Sequence, residues 1–279
     1  MPHDDQVAVG PAVRKLREEY DMTVTVVTGA ASGMGRSCVE LLLGTTDHLV
    51  AVDLRAPEIE GTVGLACDVS DPAAIGRLVE TVRGLGPLKS LAHAAGISPT
   101  MADARRIFDV NLLGTVRLLR AFEELAIAGS AAVCFSSMAA YQIAPFADPA
   151  LDALIDDPLA EGFLDQAAST IADSGFAYAL SKRGVVRACA RAAVRWGRLG
   201  ARVNSVAPGI IDTPMGRQEL EQQPVMRDML EHAPLQRLGT PAEVAAVVGF
   251  LLSDDASFVS GIDVLVDGAN LPGMDAAAQ

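Results

Sequence analysis

Tyr178-Ala-Leu-Ser-Lys182 sets a phenol and an ammonium four positions apart, a spacing that puts both on one helix face within reach of each other. A phenol with a reference pKa of about 10 is a poor acid–base near neutrality, and an adjacent cation favours its phenolate and pulls that value down. Such a tyrosine can pass a proton to or from an alcohol. Alone, the pair reads more readily as an exposed pair on a helix, since the pattern is common by chance, so its company decides. Ser136-Ser137 ends an apolar run from Ala131 that reads as a strand. This places hydroxyls at the carboxyl edge of a sheet, where open α/β proteins bind ligands and a hydroxyl can hold a substrate oxygen. Asn111, in Phe108-Asp-Val-Asn111, falls on a core-facing helix, and its buried amide needs backbone or water partners. By itself it would be a structural amide.

A second constellation precedes these. In Thr28-Gly-Ala-Ala-Ser-Gly-Met-Gly35, the residues Gly29, Ser32, Gly33, Met34 and Gly35 lie where a first strand hands over to a first helix. Missing Cβ atoms let a diphosphate approach the backbone, and the helix start turns unpaired N–H groups and a positive dipole end toward it. A tight turn is the plainer alternative. Asp53 closes the second strand about twenty residues on, where a carboxylate accepts from adenosine ribose hydroxyls and repels a 2′-phosphate. Ser32 offers no cation to such a phosphate, although Arg55 is close by. The expectation is NAD in preference to NADP.

The elements that must position these groups alternate. Strands are predicted at Thr23 to Thr28, His48 to Leu54, Thr62 to Val69, Leu88 to Ala94, Ala131 to Ser137, Ala201 to Ala207 and Asp263 to Val266. Helices are predicted at Arg36 to Leu43, Asp103 to Ala126, Phe176 to Leu199 and Pro241 to Leu252. Repeated βα units imply an α/β fold with a mostly parallel, doubly wound sheet of about seven strands and helices on both faces. No linker interrupts the 279 residues, so we read one domain, 23–270, between an N-terminal extension (1–22) and a C-terminal tail (271–279). Val13 to Tyr20 reads as a short surface helix. The rhythm breaks at about 142–175, where residues 148 to 173 hold seven carboxylates and no Lys or Arg, with apolar positions at helical intervals. That is a helical insertion rather than disorder.

Composition excludes other classes. Half the residues are apolar and 20% charged, which rules out disorder; the formal charge of −13, without a basic stripe, argues against nucleic acid or an anionic membrane as partner. With no leader or spanning segment, the protein is expected to be soluble and cytoplasmic. Cys38, Cys67, Cys134 and Cys189 are read as reduced core residues, and His3, His48, His93 and His232 form no ligand cluster.

Over residues 23 to 270 the sequence resembles the classical short-chain dehydrogenase/reductases, a Rossmann-like family. Thr28 to Gly35 matches their nucleotide loop, Asp68-Val69 their adenine-side element, Ala95-Gly96 their sheet-stabilising loop, and Asn111, Ser137, Tyr178 and Lys182 their catalytic set. Pro208-Gly209-Ile-Ile-Asp-Thr213 is similar to their nicotinamide loop, with Ile211 and Thr213 at the carboxamide and phosphates. The resemblance implies Tyr178 as general acid–base and Lys182 as the ribose ligand that lowers the tyrosine pKa. It likewise implies Ser137 as carbonyl orienter and Asn111 as support of a water relay, with hydride transfer and no metal. Two departures stand out. His93-Ala-Ala-Gly96 replaces the usual Asn-Asn-Ala-Gly, and we read His93 as structural. Serine and tyrosine lie 41 residues apart, a gap similar to that of the bacterial 3α-hydroxysteroid dehydrogenase/carbonyl reductase branch. The insertion then either changes the packing of a homo-oligomer, dimer or tetramer, or roofs the pocket; the former is favoured.

The substrate segment is expected at about 212–235, where Met215, Met226 and Met229 line an apolar pocket, or else pack a surface helix. A hydrophobic secondary alcohol, such as a hydroxysteroid, follows by branch similarity. The alternatives are a silent dinucleotide-binding sensor, which ought to lack the tyrosine or lysine, and a reductase of carrier-protein-linked 3-oxoacyl groups, which predicts a basic docking patch.

Overall fold

The computed structural model describes residues 22–143, 148–231 and 233–277. The proposed helix at Val13 to Tyr20 and the histidines His3 and His232 lie outside them. Seven parallel strands form one sheet in the order β3-β2-β1-β4-β5-β6-β7: β1 Val24–Thr28, β2 His48–Asp53, β3 Val63–Ala66, β4 Leu88–His93, β5 Ala126–Phe135, β6 Arg202–Pro208 and β7 Asp263–Val266. The chain reverses its direction of winding between β1 and β4, where Thr28 and His93 are register partners. Ligands bind in the crevice beyond the strand ends at such a reversal.

Alternate strand residues feed two cores, because side chains on a strand point to opposite faces. Val26, Val50, Leu91 and Cys134 face the helices Pro72–Leu85, Thr115–Glu123 and Ser174–Gly197, with Trp196 fully buried among them. Val27, Ala51, Ala92 and Val133 face Gly33–Leu42 and Pro241–Leu252. Burial on both sides explains why the strands read as continuous apolar runs. All four cysteines are free and buried.

The insertion forms two helices, Pro149–Asp156 and Phe163–Thr170, each set on the outside of the helix Ser174–Gly197 or its neighbour. Ile155, Phe163, Ala167 and Ile171 join a core with Phe108, Leu112 and Leu180, and the Phe108 and Phe163 rings meet edge to face at 5.9 Å. Its carboxylates are not solvent decoration. Asp152 takes Arg183 at 2.7 and 2.9 Å, and Asp156 takes Arg187 at 2.6 Å and also Arg191.

Three expectations are corrected. The helix expected from Asp103 to Ala126 is Ala104–Ile107, a π-helical stretch Phe108–Gly114, and Thr115–Glu123. β5 begins five residues before Ala131, at Ala126. Residues 271–277 of the stretch expected as a tail belong to a helix, Asn270–Ala277, which Asn270 anchors by donating from Nδ2 to the Met229 carbonyl at 2.9 Å.

Candidate active site

The nucleotide loop owes its shape to two backbone approaches. At Gly29, φ is +68° and a Cβ would stand 2.8 Å from the Ala95 nitrogen; at Gly35, a Cβ would stand 2.1 Å from the Gly29 oxygen. Side chains there would push strand and helix apart. Ser32 is the N-cap of the ten-residue helix Gly33–Leu42 and makes no side-chain cap bond, which leaves the helix's first N–H groups directed into the cleft. Asp53 accepts from the Ala31 N–H at 3.0 Å and the Leu54 N–H at 2.7 Å. Asp68 is held by Ser70 and, at 2.9 Å, by Arg106. Burial pushes its carboxyl up, yet Ser70 and Arg106 outweigh it and the net shift is downward. These residues, with Gly33, Met34, Val69, Ala95, Gly96 and Thr213, surround a cavity of about 270 Å³. The cradle fits a dinucleotide: glycines where a diphosphate needs room, an uncapped helix start, and a carboxylate at the ribose end.

A second cavity of about 300 Å³ is lined by Ser137, Tyr178, Pro208, Gly209, Ile211 and the methionines Met215, Met226 and Met229, among others. It shares Met34, Thr213 and Met215 with the first, so the two adjoin along a common wall. Thr213 caps the helix Pro214–Gln222 by accepting from the Gly216 N–H at 2.9 Å. Met226 and Met229 also pack against Ile210 and Met138, so the lining and packing readings of the segment both hold.

Behind the second cavity lie Lys182 and Asn111. The Lys182 ammonium donates to the Phe135 carbonyl at 2.9 Å and stands 5.8 Å from the centre of the Tyr178 ring. Asn111 is clamped to Ile97 through both ends of its amide, each at 2.9 Å. A methyl group on Gly96 would lie 3.1 Å from the Asn111 Oδ1 and 3.4 Å from the Lys182 Nζ, so amide and ammonium converge on that loop. Ser136 is turned inward. Its Oγ accepts from the Ser137 N–H at 2.6 Å and donates to Asp263 at 3.4 Å, whereas the Ser137 Oγ accepts from the Ala139 N–H at 3.2 Å and is close enough to Tyr178 to favour its phenolate.

The electrostatics differ from the sequence expectation in the ammonium's share of it, the other share being that of a bound nicotinamidium ring. Burial drives the Tyr178 phenol above its ordinary value, the Glu219 carboxylate adds to the rise, and only the Ser137 hydroxyl opposes it. An ammonium over the ring face, itself pushed down to about 8 by burial, does not offset that desolvation. The protein alone therefore keeps Tyr178 protonated at neutral pH.

His93 is structural. Fully buried, it takes Thr28 on Nδ1 at 2.7 Å and Thr115 on Nε2 at 3.0 Å. Thr115 spends its proton on the Asn111 carbonyl at 2.7 Å and Thr28 accepts from the Ala95 N–H, which assigns the Nε2–H tautomer. Burial first and Lys182 second depress its pKa to about 3. One imidazole thus ties β1, β4 and the asparagine turn together in place of two amides.

Sequence reasoning missed Glu219, Gln142 and Met274, all on the wall of the second cavity. Met274 belongs to the helix taken for a tail.

A family model described as enoyl-(acyl carrier protein) reductase matches residues 29–152 and 165–269. The chain belongs to the classical short-chain dehydrogenase/reductases. The unmatched residues 153–164 fall inside the insertion. A short-chain dehydrogenase/reductase, bsc3, of Alternaria brassicicola is 33% identical to this dehydrogenase/reductase over 73% of the chain and 76% of its own length. The 3-alpha-hydroxysteroid dehydrogenase/carbonyl reductase of Comamonas testosteroni is 28% identical over 88% and 96%. The crystal structure of the 3-alpha-hydroxysteroid dehydrogenase from Pseudomonas sp. B-0831 complexed with NADH superposes with a TM-score of 0.75 at 32% identity, covering 92% of this chain and 98% of that one. The family consists of oxidoreductases that bind a nicotinamide dinucleotide. No helix among the described residues is long and apolar enough to cross a membrane.

Proposed function

We propose that this dehydrogenase/reductase interconverts a hydrophobic secondary alcohol and its ketone with NAD as hydride carrier. The observation that carries the reading is the shared wall: the groove that holds Tyr178 and Ser137 adjoins the glycine cradle along Met34, Thr213 and Met215. Gly29 to Gly35 would hold the diphosphate, Asp53 the adenosine ribose, Asp68 and Val69 the adenine side, and Pro208 to Thr213 the carboxamide end. The dinucleotide supplies hydride transfer and, when oxidised, a positive charge that favours the phenolate. Tyr178 gives or takes the alcohol proton, and Ser137 holds the same oxygen. Lys182, fixed on Phe135, bonds the nicotinamide ribose, and Asn111 keeps the loop at Ile97 in register for a water relay.

The similarity to hydroxysteroid dehydrogenases supports a hydroxysteroid or like compound, and the methionine lining suits such a bulky, weakly polar molecule. Asp53 supports NAD: its dissociation constant should be at least about tenfold lower than that of NADP, since a 2′-phosphate would face a carboxylate. Equal affinities, measured by titration calorimetry, would overturn the preference. Four free cysteines support a reducing, cytoplasmic setting.

A second reading, reduction of carrier-linked acyl groups, is favoured by the description of the family model. Against it stand the acidic insertion and an overall charge of −13, which would repel an acidic carrier. For the insertion itself we keep the oligomer reading. Of its described residues only Gln142 and Gly175, at its ends, line the substrate cavity and none of 148–172 does, whereas its helices cover the tyrosine helix. Deleting residues 145–172 should change the assembly seen by light scattering, and an unchanged mass would count against it.

A further inference from the structure

Glu219 sits in the wall of the catalytic cavity, on the helix Pro214–Gln222, half-buried among methionines. Among the described residues no hydrogen bond or ion pair engages its carboxylate. The cations nearby are spoken for: Arg217 is held by Asp212 at 2.6 and 3.1 Å, Arg227 by the Leu220 carbonyl, and Lys182 by the Phe135 carbonyl. Glu219 is nevertheless close enough to Tyr178 and Lys182 to act on both electrostatically. An acidic side chain in an apolar pocket costs free energy unless something pairs with it. Here the open partner position is the space where substrate must lie.

We propose that Glu219 is a specificity-determining residue that accepts a hydrogen bond from a hydroxyl or ammonium carried by the substrate within a few bonds of its reacting carbinol. The preferred substrates are then vicinal diols or amino alcohols on a hydrophobic frame, rather than isolated secondary alcohols. This rests on the alcohol–ketone reading and narrows it. The carboxylate fits the role for two reasons. Burial pushes its carboxyl up to about 7, so above that pH it is ionised, only accepts and selects for a donor. It lines the same cavity of about 300 Å³ as Tyr178 and Ser137, so a donor that reaches it is carried by the same small molecule as the reacting carbon. An alcohol without that group would strip water from Glu219 and leave it unpaired, the situation in which sites discriminate most strongly.

The test compares cyclohexanol, its vicinal diol and its vicinal amino alcohol as substrates of the wild type, Glu219→Gln and Glu219→Leu. In the wild type kcat/KM should favour the diol or the amino alcohol over cyclohexanol by at least about tenfold, a ratio that Glu219→Leu reduces to about threefold or less. Glu219→Gln separates the two donors: it retains much of a preference for the diol and loses one for the ammonium. Calorimetric affinities of the three compounds for the enzyme–NAD complex give the same comparison without turnover. The inference is overturned if Glu219→Leu leaves the ratios intact, if the wild type shows none, or if the variant weakens NAD binding alone. Failure to bind NAD or to oxidise any alcohol would instead count against the functional reading.

Discussion

At the scale of residues, the site is a set of buried polar groups whose protons are assigned by their neighbours. His93 is the clearest case, because it can serve Thr28 and Thr115 only as neutral imidazole. Its pKa lies at about 3 in the folded chain against 6.5 for the free side chain. Between those values the unfolded chain binds a proton that the folded chain refuses, so His93-linked stability is complete above pH 6.5 and declines as the pH falls toward 3. Over the whole interval the ceiling is about 5 kcal/mol. Urea unfolding midpoints measured from neutrality into acid should fall less steeply in His93→Asn than in the wild type. Parallel curves would contradict the neutral, buried assignment. Tyr178 was legible from its spacing to Lys182, but its acidity was not: burial, which raises the phenol, depends on how helices close over it. Glu219 was illegible for a related reason, since a glutamate in a polar, amphipathic helix reads as a solvent-facing residue until the cavity beside it is seen.

Elements with their own local signals were read closely. The helix Pro241–Leu252 has the bounds expected from sequence, and it carries its own start signal: Thr240 and Glu243 form a reciprocal cap and Pro241 starts the first turn. The π-helical stretch around Asn111 has no such mark in the sequence. It exists where the Asn111 amide must reach Ile97 and Thr115 must bond back to the Asn111 carbonyl, and both are demands of the tertiary structure. The helix Asn270–Ala277 was missed because Pro272 and Gly273 argue against a helix and its packing against Met229 lies outside the local sequence. The insertion was recognised as helical, but its acidic residues were not recognised as a clip on Arg183, Arg187 and Arg191. With those pairs only partly buried, the clip contributes about 1 kcal/mol per pair. In Asp152→Asn/Asp156→Asn, amide exchange across 149–170 should accelerate while kcat holds. Unchanged exchange would show that apolar packing through Ile155 and Phe163 suffices.

For the molecule as a whole, the sheet's reversal between β1 and β4 places the nucleotide cradle, and the ends of β5 and β6 place the catalytic groove beside it. On the proposed reading neither cavity would do the chemistry alone. The cradle would hold the hydride carrier, and the groove, which keeps the phenol protonated, would gain a base when that carrier's positive charge lies beside it, across the shared wall of Met34, Thr213 and Met215. That wall could be read only in part from sequence, where Thr213 and Met215 appeared as neighbours in a motif rather than as a partition between two sites.

The most direct test couples the two cavities in one protein. Tyr178→Phe should bind NAD as the wild type does, yet lose at least about a hundredfold of its rate of NADH formation on hydrophobic secondary alcohols, because only the proton carrier has been removed. A variant that still turns over at the wild-type rate, with NAD bound, would contradict the assignment of this tyrosine as the acid–base of the reaction.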